Sequence, residues 1–215
     1  SIKICDMLLK QNCKLILIAC NSASAVAYEL VKEYVGRKAI VMDVINPMID
    51  YLAKNYIDKT IGLIGTKQTV NSNIYRKKLD ELGINIRLNT LATPLLVPLI
   101  EEGFADQAIM TDAIKSYLSE SSLHNLDALV LACTHYPLIK QPIKQFFKNK
   151  TVIIDSTDIV AEVVKNLLIA RDLLSSPSSL SKKKFYVSDY TPAFSALTRL
   201  FFKMPILLER YPLWE

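Results

Sequence analysis

A chain of 215 residues with 51% hydrophobic content has room for one large domain or two small ones and is not expected to be mainly disordered. Its formal charge of +5 is spread along the sequence, and the densest basic run, Lys182-Lys183-Lys184, falls in a serine-rich loop, which argues against a nucleic-acid interface. The four cysteines lack both CxxC metal spacing and the density of a secreted scaffold, so a reduced, cytoplasmic compartment is expected; no leader and no apolar run of ~18 residues suggests a membrane.

Residues 1–11 read as the later part of an amphipathic helix with Ile2, Cys5, Leu8 and Leu9 on its buried face, followed by a strand at 14–19. A strand more often precedes such a helix in α/β proteins, so a further N-terminal portion is expected. The alanine-rich stretch 23–34 reads as a helix with Asn21 and Ser22 as potential caps. A short strand at 39–44, a helix opening near Pro47, and a strand at 60–65 follow. A helix over 71–82 is stopped by Gly83, and a strand spans 84–88. Pro94 and Pro98 bracket an irregular or helical stretch before a helix at 107–118 and a strand at 128–132. The remainder reads as a helix from Pro137 to Phe147, a strand at 151–155, a helix at 159–174, a loop at 175–184, a strand at 185–188 and a helix at 192–202.

Short apolar strands alternating with helices predict parallel sheets with crossover connections, an α/β class. The most economical division joins 1–46 with 156–215 as one α/β domain and makes 47–155 a second domain of the same architecture. That division rests mainly on a near-repeat: Leu15-Ile16-Leu17-Ile18-Ala19-Cys20-Asn21-Ser22 returns as Ala128-Leu129-Val130-Leu131-Ala132-Cys133-Thr134-His135. Each copy is an apolar run ending at a thiol, followed at once by polar side chains that can form hydrogen bonds.

Ligands of parallel sheets bind beyond the carboxyl ends of the strands, which is where both cysteines fall. If two domains face each other, Cys20 and Cys133 approach one cleft from opposite sides. One thiol can then remove a proton from a carbon while the other returns one to the opposite face, a racemisation that needs no cofactor and no metal. Helix starts next to each thiol supply unpaired backbone N–H groups for a substrate carboxylate, and Asn21, Ser22 and Thr134 add neutral donors; an α-amino acid fits this inventory. The ordinary alternative is two inert, buried thiols.

Gly65-Thr66-Lys67-Gln68-Thr69 is a second candidate, since glycine at a strand exit admits a close backbone approach; it matches neither a phosphate loop nor a dinucleotide fingerprint. His135, two residues after Cys133, is placed to tune that thiol. Glu101 is a candidate to hold the imidazole, against the base expectation of a solvated surface carboxylate. His124 reads as solvated.

Four segments together resemble the cofactor-independent aspartate/glutamate racemase family, and glutamate racemase within it. They are Ala19-Cys20-Asn21-Ser22-Ala23-Ser24-Ala25, Gly65-Thr66-x-x-Thr69-Val70-x-Ser72, Val97-Pro98-Leu99-Ile100-Glu101 and Ala132-Cys133-Thr134-His135-Tyr136-Pro137-Leu138-Ile139. The resemblance implies two α/β domains related by a pseudo-two-fold axis with the active site in the cleft between them, interconversion of L- and D-glutamate for peptidoglycan, and a homodimer. It makes Cys20 the base for D-glutamate and Cys133 the base for L-glutamate, with His135 and Glu101 assisting Cys133. Asn21, Ser22, Thr66, Thr69 and Thr134 would contact the substrate carboxylates and amino group, Ser22 standing where the family usually has threonine. An Asp-Ser-Gly and a Pro-Tyr-Gly segment of the family have no match in the chain. Alternatives are an aspartate racemase or related isomerase, a cysteine hydrolase using Cys133 and His135, and a non-catalytic small-molecule-binding protein.

Overall fold

The computed structural model describes residues 1–176, 181–190, 198, 201–202 and 204–213. Helix α1 (Ile2–Lys10) leads into β1 (Leu15–Ile18), α2 (Asn21–Val35) and β2 (Ile40–Asp43). Strands β1 and β2 pair in parallel, with Ile18 beside Asp43 at their carboxyl ends. Cys5, Ile16, Ala27, Val31 and Val35 form the apolar cluster that α1 and α2 close over this pair.

Helix α3 (Ile45–Asn55) precedes a four-stranded sheet built from β3 (Thr60–Gly65), β4 (Arg87–Ala92), β5 (Ala128–Ala132) and β6 (Val152–Asp155). The order is β4-β3-β5-β6 and every pairing is parallel. Because the chain moves from β3 to one side and then crosses back to place β5 on the other, the β3/β5 boundary is the switch point of the sheet. Gly65 and Ala132 are register partners there, so Thr66 and Cys133 leave the sheet side by side.

Strand β5 is buried along its whole length, as expected of a central strand covered on both faces. Its alternate residues serve two cores. Leu129 and Leu131 pack with α6 (Leu96–Glu101), α7 (Ala108–Leu118) and α8 (Lys140–Phe146), while Ala128, Val130 and Ala132 pack with α3 and with α5 (Ile74–Glu81). On α7 the buried residues Met110, Ile114 and Leu118 recur every fourth position, each contributing about 2 kcal/mol by burial. A side chain at Gly62 would start 2.4 Å from Leu126 Cδ1, so glycine is what lets Leu126 and Leu129 close on β3.

Several expected elements shift. The helix expected over 71–82 starts later, as α5 at Ile74, and a separate short helix, α4 (Lys67–Asn71), precedes it; the two are parted where Ser72 Oγ donates to Thr69 O and accepts from Ile74 N while Asn73 turns left-handed at φ 54°. The strand expected at 84–88 lies later, at β4, where Arg87 is in register with Thr60. The helix expected from Pro137 begins as a 3₁₀ turn at Tyr136–Ile139 before α8. Helix α9 (Ser156–Ala170) starts earlier than expected, since the Asp155 side chain accepts from Thr157 N and caps it. Strand β7 (Phe185–Val187) pairs in parallel with β8 (Leu208–Arg210), which the sequence reading did not anticipate. The helix expected at 192–202 falls mostly outside the described residues, as does 177–180 of the expected loop. Among the described residues, no helix is long and apolar enough to cross a membrane.

Candidate active site

The thiol at the end of β1 is exposed. Cys20 has extended backbone, φ −115° and ψ 124°, and occupies the N-cap position of α2, where Ser24 N donates to its carbonyl at 2.8 Å. The helix therefore starts earlier than its alanine run suggests. Asn21 and Ser22 are not caps but first-turn residues whose side chains are engaged by the other sheet's elements. The positive end of a fifteen-residue helix stands next to this thiol.

The thiol at the end of β5 is nearly sealed, with Cys133 8% exposed. Burial pushes it up to about 11; backbone N–H groups of His135 and Tyr136 pull it down, and negative charge on Cys20 and Glu101 pushes it further up. At neutral pH Cys133 is consequently a protonated thiol.

Cys133 Sγ lies 3.8 Å from His135 Nδ1, and His135 Nε2 lies 3.1 Å from Glu101 Oε1. A neutral imidazole donating from Nε2 to the carboxylate keeps Nδ1 as an acceptor facing the thiol, so the ring can take the sulfur's proton and return it. Glu101 ends α6, and its side chain is 49% exposed, which leaves the pair in contact with solvent. Phe201 meets the His135 ring edge-on at 5.8 Å between centroids.

A third group is a triangle of hydroxyls. Ser22 Oγ is 2.7 Å from Thr66 Oγ1 and 3.3 Å from Thr69 Oγ1, and the two threonine oxygens are 3.2 Å apart. Thr66 caps α4, accepting from Thr69 N at 3.3 Å. Gly65 makes the corner possible: a side chain there would begin 3.2 Å from Ala132 O and 3.5 Å from Thr69 Cβ. Thr134 is placed differently, lining a hollow of about 330 Å³ with Ala19, Pro137, Ser156 and Thr157. A larger hollow of about 590 Å³ between α3 and α9 includes neither thiol, so open volume does not mark the chemistry in this fold.

Two supports escaped the sequence reading. Tyr136 OH lies 2.6 Å from Thr93 Oγ1, which donates to Gly65 O at 3.3 Å, so a buried strut joins the two strand exits from behind. Tyr75 OH donates to Asn21 Oδ1 at 2.7 Å. Tyr136 falls within a motif already singled out. No local signal distinguishes Tyr75 from an ordinary core aromatic. Among the described residues no group of three His, Cys, Asp or Glu side chains is arranged to hold a metal.

Residues 2–164 match the family model described as Asp/Glu/Hydantoin racemase. The chain belongs to that racemase family. Within it, a glutamate racemase of Chlorobaculum parvum is 36% identical over 196 residues, covering 91% of this chain and 72% of that protein. A glutamate racemase of Geobacter metallireducens is 33% identical over 194 residues, covering 90% and 71%. Among solved structures, the glutamate racemase of Francisella tularensis in complex with D-glutamate superposes with a TM-score of 0.86 at 32% identity, covering 99% of this chain and 79% of that one. An aspartate racemase of Picrophilus torridus, 24% identical with a TM-score of 0.51, shares the fold.

Proposed function

We propose that the protein is a cofactor-independent glutamate racemase, interconverting L- and D-glutamate and supplying the D-enantiomer for peptidoglycan. The observation that carries the proposal is the pair of strand-exit thiols, one exposed and one buried and protonated, in a chain 36% identical to a glutamate racemase over 91% of its length. Two thiols at matching strand exits supply the two groups, one base and one acid, that an exchange at a carbon demands.

In the direction from D-glutamate, the Cys20 thiolate removes the α proton and forms an S–H bond. The Cys133 thiol releases its proton to the opposite face of the same carbon and becomes a thiolate. The reverse direction starts from the Cys133 thiolate, and the His135–Glu101 pair supports it by accepting and returning the sulfur's proton. The α proton of an amino acid is weakly acidic, so charge that develops on removing it needs donors already in place. Asn21, Ser22, Thr66, Thr69 and Thr134 have that role in the proposal, holding the two carboxylates and the amino group. Both proton transfers are met by the thiols alone.

The same reading divides the chain into 1–46 with 156–215, and 47–155, a division supported by the four-stranded sheet lying wholly within the second segment. The resemblance also implies a homodimer, and the cysteine pattern a cytoplasmic compartment; sedimentation across the working concentration range is expected to give a dimer, and monomer throughout would remove that part.

The test is incubation of the full-length protein with each glutamate enantiomer in deuterated water. Deuterium is expected at the α carbon together with the opposite enantiomer. Turnover of aspartate alone would assign an aspartate racemase. Ligand binding without α exchange would assign a non-catalytic binding protein, and a covalent acyl-enzyme that forms without Cys20 would assign a hydrolase.

A further inference from the structure

Asn21 is 2% exposed, and among the described residues its Nδ2 is a buried side-chain donor with no hydrogen-bond partner. Such an orphan costs stability unless something else uses it. The other end of the amide is fully committed: Oδ1 accepts from the Tyr75 hydroxyl at 2.7 Å. Tyr75 is itself 3% exposed and packed in the core beneath the four-stranded sheet. Burial, with a smaller contribution from the Asp43 carboxylate, holds the phenol well above its usual range, so it remains a donor at every working pH. A phenol that must donate selects the amide oxygen, and Nδ2 is turned away from it. Asn21 lies between the Cys20 thiol and Ser22, whose hydroxyl is tied to Thr66 at 2.7 Å. Two adjacent residues of α2 are thus anchored to the elements that follow β3, one through an amide and one through a hydroxyl.

We propose that Tyr75 is a positioning residue that fixes the Asn21 amide with Nδ2 presented to a carboxylate oxygen of the amino-acid substrate. The proposal rests on the glutamate racemase reading. A carboxylate stays charged in both ground and transition states, so losing this donor weakens binding of both about equally. A merely structural tie between α5 and α2 would instead lower thermal stability and leave the kinetic constants of the folded protein alone.

The experiment is steady-state racemisation of both glutamate enantiomers by the full-length protein and four variants. Tyr75→Phe removes only the oxygen and is expected to raise KM about fivefold in both directions, with kcat within about twofold. Asn21→Ala is expected to raise KM about tenfold or more, and adding Tyr75→Phe to it to change nothing further, since the phenol acts only through Asn21. Asn21→Asp keeps an acceptor for Tyr75 and deletes the donor. It is expected to raise KM at least tenfold with little change in melting temperature, and it serves if Tyr75→Phe fails to fold. Unchanged KM in Asn21→Asp, or full additivity in the double variant, overturns the proposal. Absence of racemisation by the native protein defeats the racemase reading as well, whereas normal native turnover with unaltered Tyr75→Phe kinetics defeats the proposal alone.

Discussion

Serine in place of either Cys20 or Cys133 is expected to lower glutamate racemisation by roughly a thousandfold or more, with the fold retained. A hydroxyl nearly matches a thiol in size but is far less acidic, so almost no reactive oxyanion is present to take the α proton. Cys20 is exposed and Cys133 ends a strand whose neighbours supply the packing, so neither change opens a large cavity. Circular dichroism of the variants is expected to overlay that of the native protein, and near-normal turnover by either variant would end the two-thiol mechanism. The two sulfurs face opposite hydrogens, which full turnover conceals because it uses both. An amino-acid analogue with a β leaving group needs only one proton removed. Cys133→Ser is expected to lose elimination from the L analogue and keep it from the D analogue, with the converse for Cys20→Ser. The opposite pattern would exchange the two assignments.

Alkylation should report the protonation of Cys133 through its dependence on pH. With its proton held up to about 11 by burial, Cys133 is thiolate in only about one molecule in a thousand at pH 8, about two orders of magnitude less than an unperturbed thiol. Its rate of reaction with iodoacetamide is expected to rise about tenfold per pH unit until about pH 11, where it levels off. Reading the slope rather than the absolute rate removes the effect of restricted access. The same shift is linked to stability. The folded state holds this proton more tightly than the unfolded chain, so the stabilisation is complete below the unfolded thiol's pKa and is lost as pH climbs to about 11. Peptide mapping after timed alkylation reads the rates. Plateau labelling of Cys133 already at pH 8 would show that its thiol is not held protonated.

Strands β3 and β5 are legible in the sequence at both ends because each is an apolar run closed by a turn-forming or chemically distinct residue, Gly65 in one and Cys133 after the other. The short helix α4 and the later start of α5 are not. The helical period of apolar residues runs through Ser72 and Asn73 without interruption, and the break is made by Ser72's own hydrogen bonds and one left-handed residue. Strand β4 was misplaced for a related reason. Ile84, Ile86 and Leu88 are apolar enough for a strand, but pairing with β3 starts at Arg87, which donates its N–H to Lys59 O.

The site divides in the same way. Each thiol's position at a strand exit, and the hydroxyl, amide or imidazole that follows it, is a property of eight consecutive residues. Hydrophobic alternation and the propensity of short apolar runs are enough to write it into the chain. No local rule encodes the 3.1 Å between Glu101 and His135, the hydroxyl triangle of Ser22, Thr66 and Thr69, or the phenol that orients Asn21. Those distances follow from the parallel register that sets Gly65 beside Ala132 and from the packing that brings α2 against α4. Both are paid for by burial summed over many residues, and burial is non-directional in sequence: it records that a side chain is apolar, not which partner it will meet.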